Sequence, residues 1–545
     1  MMIKTLNCFT VLVLLNAVFL SILKAKPKDE GEKIKISLQK RVPSDLDEGS
    51  FMVVNDIQQW NSNETAIIIC DMWDKHWCEG ATKRVTEMAP HLNKVISIAR
   101  AKGALIVHAP SSTMDYYKDH SGRKLAKKYK YKSVEEKINP DGAQLECEID
   151  QEWPFEISNG GCSDTPKCKD VNKTVWTKQI DTIDILDGDA ISDSGVEVGS
   201  LFVKKGIKNV ILVGVHTNMC VIGRTFGLRN MVRLGMNVAL MRDMTDTMYD
   251  STSSPYVSHF TGNSLMHEYI EKNVCPTMVS TDFTDEKQFR FKNDKRPVVA
   301  FITAESEYRA NQRLPEFAHE LLLTKNVNCE FALGKPIMKG EGRHNIENLQ
   351  IMNDADLAVF FIRRRALDPE KMKLIKDYVT SGKPVIGIRT ASHAFDPKGN
   401  VPREGGGIVA ATGKVDDFLS NWTEFDEEIL GGNYQGHHGH LKEGTVVSIV
   451  PGMSNHPLLK GVSVDGFTSP NWLYQNSPLR SATAQVLLIG TIPGQPSEPV
   501  LWTNTNKYGN AIYTSLGHWD DWEIESFKNA MLNSVDYLLN LEKTK

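Results

Sequence analysis

The chain has 545 residues, room for roughly three to four average domains or for two large α/β ones. Its 41% hydrophobic and 24% charged residues, with 39 Gly and 23 Pro, exclude collagen-like, low-complexity and wholly disordered readings. Lys plus Arg number 63 against 68 Asp plus Glu, a formal charge of -5, so the cationic excess that phosphate neutralisation needs is missing and no nucleic-acid partner is expected.

The chain starts MMIKTLNCFTVLVLLNAVFLSILKAKPKDE. Lys4 gives a basic start, Leu6 to Leu23 is mostly apolar, and Ala25 is a small residue before a charged stretch. This is the pattern of a secretory signal peptide over residues 1–25, with an uncleaved anchor as the alternative. The expectation is an exported protein, periplasmic or secreted, that meets a membrane only during export. Export lets disulfides persist. For Cys147, Cys162 and Cys168 the readings left open are a disulfide, free thiols or a metal site. The Cys-x5-Cys interval of the last two lacks tight metal-ligand spacing.

Residues 26–64 read as an extension with one or two strands in SFMVVNDIQQW. Alternation then begins. Thr65–Cys70 (TAIIIC) is a continuous apolar run suited to a strand buried on both faces. A helix over Ala89–Lys102 and a strand at Ala104–His108 follow. Beyond an insertion at about 139–173 come a helix at Gly199–Lys205, a strand at Asn209–Val213, a helix at Arg224–Leu234 and a strand at Asn237–Met241.

DFTDEKQFRFKNDKR lacks periodicity and reads as a charged linker over 284–296. Alternation resumes with strands at Pro297–Ile302, Ala358–Ile362 and Pro384–Ile388 and helices at Leu314–Thr324 and Pro369–Ser381. Strands at Val446–Val450, Val486–Gly490 and Ala511–Ser515 and a closing helix from Trp522 complete the chain. The fold class expected is α/β: two doubly wound, Rossmann-like domains at 65–283 and 297–545, with mainly parallel sheets.

Open parallel sheets collect ligands at the carboxyl ends of their strands. Asp71 ends TAIIIC, Cys220 follows NVILV in VGVHTNMCVIG, and Lys178 lies in VNKTVWTKQ. A free thiol with a pKa of about 8.5 is only roughly 3% thiolate at neutral pH, and a nearby ammonium and a helix N-terminus lower that pKa. A carboxylate can take the thiol proton and return it. Singly, each residue has a plainer reading: a helix cap, a surface lysine, a buried inert thiol.

AIIICDMWD and the turn Gly214-Val215-His216-Thr217-Asn218-Met219-Cys220 resemble the isochorismatase-like cysteine hydrolases over about Thr65 to Phe283. The resemblance implies Asp71 as general base and acid, Lys178 as electrostatic partner and Cys220 as nucleophile. It also implies a non-proline cis peptide near Val215–His216 and an oxyanion hole from the amides of His216 and Cys220. The thiol chemistry requires no cofactor; a divalent metal stays open as an alternative that ligand spacing does not support. His76, His108, Asp115 and His120 stand near the metal region of nicotinamidases without its spacing, and Trp73 stands where that family commonly has Gln.

In the second half, TASHAF, GGNYQGH and SLGH resemble the trehalose-utilisation ThuA-like family, whose fold is similar to class I glutamine amidotransferases. Glu307, Tyr308, His393, Tyr434, His438 and His518 are the candidate ligand-binding residues there, for a polar ligand such as a sugar. The turn Arg389-Thr390-Ala391-Ser392-His393 has no Cys, which argues against glutamine hydrolysis, and neighbouring Ser392 and His393 are not expected to face each other. Trp422, Trp472, Trp502 and Trp519 read as sugar platforms or as core. The leading expectation is a hydrolase of a C–N or related bond acting on a small molecule, with oligomerisation open. The rivals are a two-module binding protein and a ThuA-like half that is itself the main sugar-processing enzyme.

Overall fold

The computed structural model describes residues 31–541, apart from 48, 158, 339–341, 398–418 and 440–442, so the signal-like segment lies outside it. The first half supplies β1 (Lys33–Pro43), β2 (Phe51–Asn61), β3 (Thr65–Cys70), β4 (Leu105–Ala109), β5 (Ala190–Ile191), β6 (Asn209–Val215), β7 (Asn237–Asp246) and β8 (Thr277–Met278). They form one sheet in the order β2-β1-β8-β7-β6-β3-β4-β5, parallel from β8 to β5. All six residues of TAIIIC are buried, because β4 and β6 flank β3 and helices cover both faces. Helix Glu79–Ala101 presents Val85, Met88, Leu92, Val95 and Ile96 at helical spacing and packs them on Ile67 and Ile69. Helix Gly195–Lys205 covers Ile68 with Val198, Leu201 and Phe202. Helices on opposite faces of a parallel sheet make the domain doubly wound.

The predicted extension is the long β1–β2 hairpin, which meets the sheet antiparallel to β8. Its turn reaches the second half: Ser44 Oγ donates to Gln312 Oε1 (3.0 Å) and Arg313 pairs with Asp47 (2.7 Å). The predicted linker is docked rather than loose. Phe291 is buried against Phe260 and Phe289, among the core side chains of the first domain.

The second half contributes β9 (Val298–Ala304), β10 (Asn328–Gly334), β11 (Ile346–Glu347), β12 (Leu357–Ile362), β13 (Val385–Ile388), β14 (Gly436–His437), β15 (Thr445–Ile449), β16 (Phe467–Ser469), β17 (Tyr474–Gln475), β18 (Gln485–Thr491), β19 (Glu498–Thr505) and β20 (Asn510–Thr514). Ten of them follow the order β11-β10-β9-β12-β13-β20-β19-β18-β15-β16, and β14 pairs with β17 alone. β10, β9, β12, β13 and β20 run parallel, whereas β19, β18, β15 and β16 extend the sheet antiparallel. The connections at 492–497 and 506–509 are too short for a crossover helix, which forces those hairpins. Among the described residues, no helix is long and apolar enough to cross a membrane.

Candidate active site

Asp71 leaves the end of β3 at a φ of 46°, in the left-handed region that non-glycine residues rarely occupy outside special sites. Its N–H donates to Ala109 O (3.1 Å) at the end of β4, and its Oδ1 accepts from Ser111 N (2.7 Å). In the adjacent strand β6, the penultimate residue Gly214 is the register partner of Cys70 and has a φ of 99°. A Cβ there would stand 2.0 Å from Cys70 O, so only glycine fits. The Val215–His216 peptide is cis. Thr217 Oγ1 lies 2.6 Å from Thr245 Oγ1, which in turn donates to Gly214 O (2.7 Å). Asn218 clasps the Met248 main chain through both amide atoms (2.9 and 3.0 Å). These anchors shape the wide π-helical turn Thr217–Val221, which carries half-buried Cys220.

Asp71 and Cys220 meet. Burial pushes the Asp71 carboxyl up, while the Arg224 charge and then the neighbouring Cys220 thiol and Ser111 N–H oppose the rise. Burial pushes the Cys220 thiol strongly up as well, the Asp71 charge adds to this, and Arg224 counters. The Cys220 thiol therefore rests neutral, not as the thiolate expected from an ammonium and a helix N-terminus. The cation at Asp71 is Arg224, its Nε 3.5 Å from Oδ2. The sequence reading missed it, although four residues past Cys220 is one helical turn on the same face. Lys178 borders the site through its main chain: Asp74 N donates to Lys178 O (2.9 Å), and Trp73 bridges Gln179. Its ammonium is held by both oxygens of Asp181 (2.6 and 2.8 Å), a short-range pair three residues away.

Beside this cluster stands an aromatic wall. Trp73 stacks on Trp176 with centroids 4.0 Å apart, His76 lies parallel to Trp176 at 5.7 Å, and His216 meets His76 edge-on at 4.9 Å. Trp73 Nε1 donates to Ser111 O (3.1 Å), so the residue in the position of the family's Gln is tied to the loop that holds Asp71. Burial, then the Arg84 charge, push His76 down to about 4. His108 is bonded to Gln179 (2.9 Å) and Asp189 (3.2 Å), and His120 caps helix Ser121–Lys127. Both histidines serve the scaffold. The eight described cysteines are all free. Cys162 and Cys168 gather with Cys78, whereas Cys147 donates to Asn273 O (2.9 Å) elsewhere.

In the second domain, four of the six candidates converge. Tyr308 follows β9, His393 follows β13, His518 follows β20, and Tyr434 comes from the GGNYQGH loop. His393 stacks on Tyr434 (4.4 Å), Tyr434 contacts Tyr474 (4.8 Å), and His518 meets Tyr308 edge-on (5.6 Å). At their centre is a residue sequence reading passed over. Arg389, buried and at a φ of 47°, is sandwiched 4.3 Å from the Tyr308 ring and 4.7 Å from that of Tyr474. Glu307 pairs with Arg363 (3.0 Å), and His438 with Glu498 (3.2 Å) and Gln475 (3.2 Å). Contrary to expectation, Ser392 Oγ and His393 Nδ1 do face each other at 3.1 Å, because the turn is 3-10 wound. The Ser392 hydroxyl is also within donating distance of Arg389 O (3.2 Å), and a proton given to that carbonyl is not shared with the ring. Trp422 and Trp502 are core, while Trp472 and Trp519 are half-buried against His437 and His518. Cavities of about 350 and 630 Å³ lie elsewhere, one between the halves around Arg242 and His267, the other beside His456 and Tyr537.

The family model described as ThuA, trehalose utilisation, matches residues 398–538, a span that includes GGNYQGH and SLGH. The C-terminal half therefore carries a ThuA domain. No curated protein matches the chain. Among solved structures, the chain is similar to a ThuA-like protein from Bacteroides uniformis ATCC 8492, at 13% identity and a TM-score of 0.32, over 46% of this chain and 95% of that one. It is similar to a cysteine hydrolase from Pseudomonas syringae pv. phaseolicola 1448A, at 16% identity and a TM-score of 0.26, over 41% of this chain and 92% of that one. It is also similar to an isochorismatase from Pseudomonas putida KT2440, at 11% identity and a TM-score of 0.26, over 42% and 94%.

Proposed function

We propose that the protein is an exported hydrolase whose first domain cleaves an amide-type C–N or related bond through Cys220. The observation that carries this reading is the mutual perturbation of the Asp71 carboxyl and the Cys220 thiol at the ends of neighbouring strands, with Arg224 beside them. In the proposed cycle, Cys220 Sγ attacks the carbonyl carbon as its proton passes to Asp71. The main-chain N–H groups of His216 and Cys220 face the oxyanion. Asp71 then protonates the departing nitrogen, the C–N bond breaks, and a thioester remains. Water attacks the thioester as Asp71 takes its proton, and as the C–S bond breaks Asp71 returns that proton to the sulfur, which restores thiol and carboxylate. Lys178 enters as electrostatic partner when substrate displaces its pairing with Asp181. The neutral resting thiol supports a proton transfer coupled to attack rather than a standing thiolate.

A screen of amides, carbamoyl compounds and acyl esters on the intact chain tests this. A substrate should emerge whose turnover Cys220→Ala abolishes, and turnover that survives in Cys220→Ala would refute the assignment. Export is tested by finding the chain outside the cytoplasm with residues 1–25 removed.

For the second domain, the ThuA match and the Arg389–Tyr308–Tyr474 cluster support a carbohydrate-related role. Sugar binding that His393→Ala or Tyr434→Phe weakens is the expected result, and a glycan panel with no binding would discard it.

A further inference from the structure

We propose that Cys78, Cys162, Asp164 and Cys168 form a structural zinc site that pins the insertion to the first helix of the hydrolase domain. Three of these residues come from the insertion, and Cys78 is the N-cap of helix Glu79–Ala101. One ligand atom from each lies within 4.8 Å of all the others. The three sulfurs approach a single oxygen, Asp164 Oδ2, at 3.3 Å from Cys78, 3.6 Å from Cys162 and 3.2 Å from Cys168.

Hydrogen bonding alone is a poor account of this convergence. Oδ2 also accepts from Gly80 N (2.9 Å), which would make four donors on one carboxylate oxygen, where about two are accommodated. Tetrahedral ligation accounts for it directly. With Zn–S of about 2.3 Å and Zn–O of about 2.0 Å, the sulfur-to-oxygen edge of the tetrahedron is about 3.5 Å, which is the spacing seen. Four ligands also close the shell, as in structural rather than catalytic zinc sites.

The surroundings suit an anionic cluster. Ala81 N donates to Cys78 Sγ (3.4 Å), so the cluster sits on free N–H groups of a long helix's first turn. A Cβ at Gly80 would stand 2.4 Å from Asp164 Oδ1, so a larger residue there would push this carboxylate from its place. Cys78 and Cys162 are buried with Trp77 and Met248, and Trp176 of the aromatic wall packs against the same group. Closing the site therefore fixes the loop that brings Trp176 to Trp73.

The test is zinc content of the intact chain, purified with reductant, supplied with Zn(II) and passed through gel filtration. About one zinc per chain should remain. Cys78→Ser, Cys162→Ser, Cys168→Ser and Asp164→Ala should each weaken retention at least about tenfold, and Cys147→Ser and Cys220→Ser should keep it. In case the variants unfold, the wild-type chain loaded with Co(II) should show sulfur-to-cobalt charge transfer. Chelation should expose the three cysteines to maleimide, read by peptide mass mapping. Failure of the wild-type chain to hold zinc, zinc retained in all four variants, or a disulfide among these cysteines in unreduced protein would each overturn the site.

Discussion

Arg224 lies one turn beyond Cys220 and brings its Nε to 3.5 Å from Asp71 Oδ2, so a single guanidinium faces both the proposed acid and the proposed nucleophile. Its side chain is 40% exposed, which leaves the cluster open to solvent on that side. The charges around the thiol pull against each other, and substitution can separate them.

Asp71→Asn removes a charge that pushes the thiol up, so iodoacetamide should alkylate Cys220 several-fold faster at neutral pH. Turnover should fall by about 10²–10⁴, the usual contribution of a general base. Arg224→Gln removes the opposing charge and should slow alkylation. Equal slowing in both variants would contradict the electrostatics.

Gly214→Ala places a Cβ against Cys70 O at a φ that alanine resists. The strand ends that carry Asp71 and Cys220 must then part, and the loss should be at least about 2 kcal/mol. Thermal unfolding measures it, and an unchanged Tm would mean that the two strands can separate without loss.

Glu268 ties three elements together. Burial would raise its carboxyl, yet Arg41 of β1 (2.8 Å) and His319 of the second half (2.7 Å) override this and hold it at about 2, against 4.5 when unperturbed. A depressed carboxyl contributes its stability above pH of about 4.5 and loses it as pH falls towards 2. The span corresponds to about 3 kcal/mol. Glu268→Gln should be less stable than the parent at pH 7 and should lose less on acidification, as urea unfolding at the two pH values would show.

Asp426 carries the opposite sign. Burial pushes it up to about 7, against a pull from the Tyr434 N–H at 2.9 Å. A raised carboxyl contributes stability at low pH and loses it as pH rises from about 4 through 7, up to about 4 kcal/mol. Asp426→Asn should flatten that decline and overtake the parent at pH 8. A parallel decline in both proteins would place its origin in other groups.

Much of the scaffold was legible because parallel strands covered on both faces leave continuous apolar runs: TAIIIC is β3, and NVILV and AVFFI are parts of β6 and β12. Helix His259–Asn273 was not. It buries Thr261, Asn263, Glu268 and Glu271, and paired polar groups inside a core erase the apolar period that marks a helix. Asp71 and Cys220 were found through a local turn. Arg224 needed only helical arithmetic from Cys220. Cys78 joins Cys162 across a long stretch of sequence, and Arg389 becomes notable only when Tyr308 and Tyr474 close on it. Such pairings are products of the fold and leave no local trace.

The hairpin of β1 and β2 works as a keystone. Its Val53 is embedded among core side chains of the second domain, while Leu322 of the second domain is embedded in the first. Severing the chain near residue 296 would strip both residues of their sockets and bare greasy scars on each fragment. The two halves should accordingly melt as one cooperative body, and fragments made separately should clump or seek each other out.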